Sequence, residues 1–548
     1  MKANKLLALC LASAMALSCT GLSVSADDTS SVRKVLRFGE ANAKVGYDPQ
    51  TNTNSGATVI EDCVVENLFY WNDQNEEVPI LCEDFPEISD DGLTYTFKLR
   101  EGVYFTDGTE LTSDDVGYTF ERMFRPETGA TSTYMYTMIK GAQEMLDGTA
   151  TELEGFEKID DYSFSFTLTE PNSVFIKNLG IAYAAIYPEE TCEAAGADWG
   201  VTTLVGTGPY TLDFSQTDDS KATLLKNENY WGEEPHFDEI DVIFYDDENT
   251  KMMAFENGDI DLCQVPTSLY LTYLGSDVAE KFHDYYPLGT IFLNVNMQEE
   301  LNGAPNPLAD VNVRKAISLA IDRQTLVDIQ NNGLGVVATG FINPYQLGYD
   351  DTNSAFEYNP EEAEKILQDA GYTKDSNGYY VTFECHVRSG RAQEVGDMTV
   401  VKDNLAKVGI NMIVTEVDAA TWTDERAAGT VQSQWMGWFP LYADPDNNVY
   451  SWFHSSNASG KASFYNNPEF DKLMENARLT TDDTERAELY KQADQILSYE
   501  DYAAITMYYP VYTFAAQDYV TNFTVGNLIY QLQYDIDYDM DIYMAEKG

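Results

Sequence analysis

Positive charge is what this chain has least of. Of its 548 residues, 33 are Lys or Arg and 91 are Asp or Glu, a formal net charge of −58. A surface of that sign repels phosphate backbones and anionic lipid, which argues against nucleic-acid binding and against a basic membrane-surface role. Histidine is scarce too. His236, His283, His386 and His454 are too few and too scattered for a preformed metal cage. Cysteine is sparse, and two of the seven, Cys10 and Cys19, sit near the N-terminus. The other five (Cys63, Cys82, Cys192, Cys263 and Cys385) are odd in number and widely spread, so they form no disulfide framework; there is room for one or two bridges, and at least one thiol stays free. Beyond the N-terminal run no stretch reaches eighteen apolar residues, so no membrane span is expected. Also missing are a Gly-x-Ser-x-Gly elbow, a His-Glu-x-x-His pair, a Walker loop and a dinucleotide fingerprint. No enzyme class is indicated and no cofactor is expected. Carboxylate pairs carry no information in a chain with 91 acids.

What is present is enough apolar material for several cores, 44% of residues, and length for roughly three or four domain-sized units. The 37 tyrosines supply rings with a polar end, suited to a half-wet groove. Lys2 and Lys5 precede an apolar run at 6–17, too short to span a bilayer and right for a signal-peptide core. Small residues at Val24-Ser25-Ala26 mark a cleavage site, so residues 1–26 are read as a signal peptide and the protein as exported to the cell surface or periplasm. The competing reading is a lipid anchor at Cys19, whose preceding box is imperfect.

Period-two alternation over 93–100 and 162–168 predicts strands buried on one face. Thr112 or Ser113 can cap a helix with Asp114 and Asp115 in its first turn, ending before Pro126. Helices are also predicted after Asp310, from Asn359-Pro360 to Gly371, from Asn467-Pro468, and over 486–497. Strands at 290–296 and 410–417 lie between them. The mixture is α/β, with no internal repeat and no low-complexity linker.

Residues 89–116 (SDDGLTYTFKLREGVYFTDGTELTSDDV) closely resemble the signature of the family 5 extracytoplasmic solute-binding proteins of ABC importers, the oligopeptide-, dipeptide- and nickel-binding type. Further blocks follow in the family's order: VGTGPY at 205–210, KNENYWG at 226–232, ENGDIDL at 256–262, ADVNVRKA at 309–316, AIDR at 320–323, and Trp438 ahead of Asp444-Pro445-Asp446. The resemblance implies a two-lobed, type II, cluster C binding-protein fold with a domain inserted in lobe one. Lobe one would take 27–67, 200–287 and 505–548, the inserted domain 68–199, and lobe two 288–504. It implies a monomer that closes on an oligopeptide or other small solute by hinge rotation, near 288–296 and 514–523, and delivers it to a membrane permease.

The resemblance also implies a ligand-binding segment at Trp438, Phe439, Pro440, Leu441 and Tyr442, with Asn54, Ser55 and Gly56 of the early loop and Asn294 and Asn296 of a strand as further candidates. Peptide-binding members carry a carboxylate for the peptide's ammonium where this chain has Leu441. Losing it forfeits a charge-assisted bond of roughly 1.5–3 kcal/mol. Either another residue holds the amine or the solute is not a free-amine peptide. An oligopeptide is the first choice, with an oligosaccharide or other polar organic solute next, then a nickel chelate or a purely sensory role. Trp422, Trp435 and Trp452 are read as packing residues, Asp444 as a brace of its own loop, and Arg388 and Arg391 as a solvated loop that could otherwise meet a ligand carboxylate.

Overall fold

A computed structural model describes residues 33–41, 46–52, 54–72, 74–523 and 536–547, without the side chains of Ser55 and Lys547. The leader and Cys19 lie outside the described residues. Alternation makes the strands expected from sequence. Thr94–Lys98 and Ser163–Thr167 pair antiparallel, Thr94 opposite Thr167 and Lys98 opposite Ser163. They form the centre of a four-stranded sheet with Glu87–Ile88 and Phe156–Lys158 at its edges. The inward rings make a phenylalanine core: Phe97 stacks on Phe164 at 5.1 Å, and Phe120 meets Phe166 edge-on at 4.8 Å. Phe120 comes from helix Ser113–Phe124, whose start is fixed by Asp115 accepting the backbone N–H of Thr112 at 2.9 Å.

Two larger sheets flank this unit in the chain. The first has seven strands in the order Phe282–Tyr285, Tyr512–Ala516, Leu262–Val265, Val35–Ala41, Glu239–Tyr245, Lys221–Lys226, Tyr210–Leu212. The second has six: Gly335–Val337, Ala504–Pro510, Thr290–Val295, Ser433–Trp438, Val381–Arg388, Ile410–Val417. Helices pack over the second, with Leu293, Ile317, Val401 and Met412 wholly buried between them.

The chain passes between these sheets twice. Phe282–Tyr285 leads through 286–289 into Thr290–Val295, and Ala504–Pro510 leads through Val511 into Tyr512–Ala516. The passages lie side by side. Tyr285 pairs with Tyr512 in the first sheet, and Ile291 with Tyr508 in the second. The second passage is therefore upstream of the expected 514–523, and Ala504–Pro510 belongs to the second sheet rather than to a lobe-one segment starting at 505. The tyrosine-rich run 508–512 obscured the change of sheet, because both strands continue one buried pattern.

Two glycine and aromatic blocks turn out to be braces. A Cβ on Gly206 would lie 2.1 Å from the carbonyl oxygen of Val64, so the VGTGPY turn presses on the end of helix Ser55–Val64. In KNENYWG, the Tyr230 hydroxyl (2.6 Å) and Trp231 Nε1 (2.9 Å) both donate to the buried Glu66 carboxylate, as does Thr207 Oγ1 at 2.7 Å. Cys63, Cys82, Cys192, Cys263 and Cys385 are all free and buried, and burial pushes every one of these thiols up.

Among the described residues several carboxyls are buried with hydrogen bonds but without an ion pair. Burial raises Glu66 to about 7 and Asp397, which accepts from the Tyr508 hydroxyl, to about 7, in both cases against the pull of those hydrogen bonds. Such groups hold their protons longer folded than unfolded. Their contribution to stability is complete below the unfolded value near 4 and is lost as pH rises towards 7. Thermal unfolding should therefore shift upward as pH is lowered from about 7.5 to about 5, and Asp397→Asn should flatten that slope. A melting temperature that falls over this interval would contradict the assignment.

Candidate functional site

The segment 438–444 leaves the second sheet beside the first passage between sheets. Trp438 ends strand Ser433–Trp438, paired with Thr290 at the start of Thr290–Val295. Phe439 then stacks on Tyr512, across the second passage, at 5.9 Å and 27°. A Cβ on Gly289 would come within 2.2 Å of the Phe439 ring, so glycine at that position is what lets the ring lie over the passage. Trp438 is half-buried, donates Nε1–H to the Asn447 carbonyl at 3.2 Å, and meets Trp452 edge-on at 5.3 Å. Pro440 is buried, and the backbone N–H of Leu441 is held by Asn447 Oδ1 at 2.9 Å.

Tyr442 departs from its expected role. Its ring is 1% exposed and stacks on Trp71 at 5.8 Å and 14°, as part of the core that also contains Phe97 and Phe166. Leu441 and Ala443 pack on the same core. Tyr442 therefore joins the second sheet's loop to the 68–199 segment, its ring enclosed in that core. Aromatic stacking of this kind adds roughly 0.5–1.5 kcal/mol to the area buried.

Asp444 secures the base of the loop. It caps the turn Pro445–Asn447 by accepting the Asp446 N–H, pairs with Arg486 at 2.7 Å, accepts from the Tyr490 hydroxyl at 3.0 Å, and lies 3.6 Å from Lys177 of the 68–199 segment. Burial raises its carboxyl, but Arg486 and then Lys177 outweigh that and hold it below its ordinary value. Arg478 clamps Asp446 through two nitrogens at 2.6 and 2.9 Å, while its carbonyl accepts the Ser173 N–H at 2.7 Å.

The other candidates are structural in varying degree. Asn54 is the cap of helix Ser55–Val64, its side chain accepting the Gly56 N–H at 2.9 Å, so Ser55 and Gly56 belong to a helix start instead of a loop. Among the described residues no hydrogen bond, ion pair or ring contact joins Asn54 or Gly56 to 438–442. Asn294 lies on strand Thr290–Val295 and Asn296 just past its end, and both are 1% exposed. Asn296 is fully engaged: its amide donates to the Gly429 and Val431 carbonyls at 3.1 Å, and its oxygen accepts the Gln298 N–H at 3.0 Å. It braces the loops at 298 and 429–431. Asn294 donates to the Lys461 carbonyl at 2.9 Å, while its Oδ1 is buried without a partner.

A group missed in the sequence surrounds Trp438. Lys461 Nζ lies 5.2 Å from the ring centres of both Trp438 and Trp452, and 5.9 Å from that of Tyr134 in the 68–199 segment. Arg426 lies over Trp422 at 4.9 Å and Trp452 at 5.9 Å, and Arg388, paired with Glu394, covers Trp422 at 5.1 Å. Apart from Tyr134 these residues are scattered over 388–461, and no local spacing links them.

The family model for bacterial extracellular solute-binding proteins, family 5 Middle, matches residues 76–460. The chain belongs to this solute-binding family. Heme-binding protein A of Haemophilus influenzae is 27% identical over 490 residues, covering 85% of this chain and 86% of that protein. The dipeptide-binding protein of Escherichia coli is 28% identical over 483 residues, covering 85% and 87%. Among solved structures, the ABC transporter-associated periplasmic binding protein DppA from Helicobacter pylori, in complex with the peptide STSA, superposes with a TM-score of 0.77 at 24% identity, covering 92% of this chain and 99% of that one. The fold is accordingly that of type II periplasmic binding proteins, mixed α/β. Among the described residues no helix of this family member is long and apolar enough to cross a membrane.

Tyr442→Ala should lower unfolding stability by about 3 kcal/mol or more, since it empties an aromatic seat in a packed core. Denaturant unfolding measures this. A loss below about 1 kcal/mol would mean the ring is not seated in solution.

Proposed function

We propose that this chain is the exported solute-binding component of an ABC importer, capturing an oligopeptide between two lobes and presenting the closed form to a membrane permease. In this reading lobe one comprises 35–67, 200–285 and the chain after 511, lobe two runs from 290 to 510, and 68–199 is the insertion. The observation that carries it is the position of the 438–444 loop. It emerges at the passages between sheets, lays Phe439 over one of them and reaches the insertion through Tyr442. A solute lying against Trp438 and Phe439 would touch the moving joint itself, so its contacts would differ between open and closed forms. Only such differential contact can shift the equilibrium, and moving it from 1:99 to 99:1 needs roughly 5.5 kcal/mol. The peptide-binding names of relatives support oligopeptide as the solute class.

Solution scattering and thermal shift with a pool of two- to five-residue peptides test the reading. A bound peptide should reduce the radius of gyration, and one present at a hundred times its Kd should add about 2.7 kcal/mol of stability. Unchanged dimensions with a tight binder would overturn hinge capture. Residues 1–26 act as a cleaved leader in this reading, so mass spectrometry of the secreted protein should find Asp27 first. A diacylglyceryl group on Cys19 would replace simple cleavage with anchoring.

A further inference from the structure

The insertion touches both lobes, and the two contacts are built differently. Against lobe one it is committed. Arg122 pairs with Asp48 at 2.7 Å and donates to Gln50 Oε1, and the N–H groups of Thr106, Thr131 and Ile186 reach the carbonyls of Gly206, Gln50 and Glu66 at 2.9–3.0 Å. Tyr118, Tyr187 and Trp199 are part of lobe one's own core. Parting these surfaces would strand a largely buried guanidinium and its carboxylate, which is strongly unfavourable.

Against lobe two the contact is separable. Lys177 Nζ lies 3.6 Å from Asp444, and Ser173 sends its N–H to the Arg478 carbonyl at 2.7 Å and its hydroxyl to the Ala477 carbonyl at 3.1 Å. The lobe-two side is satisfied without the insertion. Asp444 keeps Arg486, Tyr490 and the Asp446 N–H, and the Arg478 side chain keeps Asp446. Ala477 and Arg478 stand in the last turn of helix Pro468–Leu479, whose carbonyls water can take over. On the insertion side Lys177 keeps Glu77, whose charge it already feels. We propose that Ser173 and Lys177 form a latch, engaged with Asp444 and the end of helix Pro468–Leu479 when the lobes are shut and released when they part. The proposal rests on the cleft-capture reading and adds that the protein itself, besides the solute, holds the closed form. A larger binding-competent fraction raises apparent affinity in proportion.

The latch carries its own proton switch. Glu77 pairs with Trp71 across a short ladder and has one carboxyl oxygen buried without a hydrogen bond. Burial raises its carboxyl to about 7 against the pull of Lys177, and Asp444 across the contact adds to the rise. Among the described residues these are the two charges that face it. Parting the halves removes Asp444 and admits water while Lys177 stays, so the open form holds the Glu77 proton less tightly. Protons therefore favour the engaged latch. The gain is complete below the open-form value and is lost as pH rises through about 7.

Solution scattering of the solute-free mature protein at pH 6 and pH 8 tests this, with wild type, Lys177→Met, Lys177→Arg and Glu77→Gln, and with the pool of two- to five-residue peptides as the binding probe. Wild type should have the smaller radius of gyration at pH 6. Lys177→Met should be larger than wild type and bind the pool roughly 3- to 10-fold more weakly, and Lys177→Arg should restore both. Glu77→Gln should stay compact at both pH values, which keeps the switch testable if Lys177→Met fails to fold. A merely structural lysine would lower the melting temperature and leave the radius alone. Equal solute-free radii for wild type and Lys177→Met overturn the latch, and compaction of both by peptide then leaves hinge capture intact. A larger Lys177→Met radius without any peptide response upholds the latch and overturns the peptide reading. A Glu77→Gln radius that follows pH as wild type does overturns the proton switch.

Discussion

The two large sheets are joined by two backbone passages that lie side by side. On each side the chain is locked into a ladder, Tyr285 to Tyr512 in one sheet and Ile291 to Tyr508 in the other. A ladder-paired strand resists rotation about its own bonds, so 286–289 and Val511 are the stretches between the sheets that no ladder holds. The second ladder also shifts register between Ile291 and Phe292, directly after the first passage. Such irregularities bend and twist a strand locally. Phe439, stacked on Tyr512 and fitted over Gly289, lies on this joint. The geometry couples the joint to the candidate cleft without any long chain of intermediates.

Two buried carboxylates tie together segments far apart in the sequence. Glu66 gathers three donors from 207, 230 and 231, and Asp444 gathers Arg486, Tyr490 and Lys177. Buried carboxylates need satisfied lone pairs, and each of these obtains them from segments far apart in sequence. They act as junction points between parts of the chain that no linker separates.

Much of the architecture was legible because it rests on local rules. Alternation located the strands around Phe97 and Phe164, and Asn-Pro starts located the helices at Pro360–Asp369 and Pro468–Leu479. The ordered blocks between 89 and 446 point to the family by themselves. What escaped was set by tertiary geometry. Tyr442 sits in a motif that suggests a cleft, yet its ring is captured by Trp71, some 370 residues earlier by subtraction of their numbers. Asn296 looked like a strand amide free to bind, but three backbone groups claim it. Lys461 carried no signal at all, because its meaning depends on two tryptophans and a tyrosine brought together by folding.

The five buried thiols have a practical side. Each is free, enclosed in apolar packing and pushed away from the reactive thiolate form. A fluorophore or spin label attached through a cysteine newly placed on either lobe would meet little competition from them. Among the described residues no cysteine needs replacing before distance measurements, so the cores stay undisturbed.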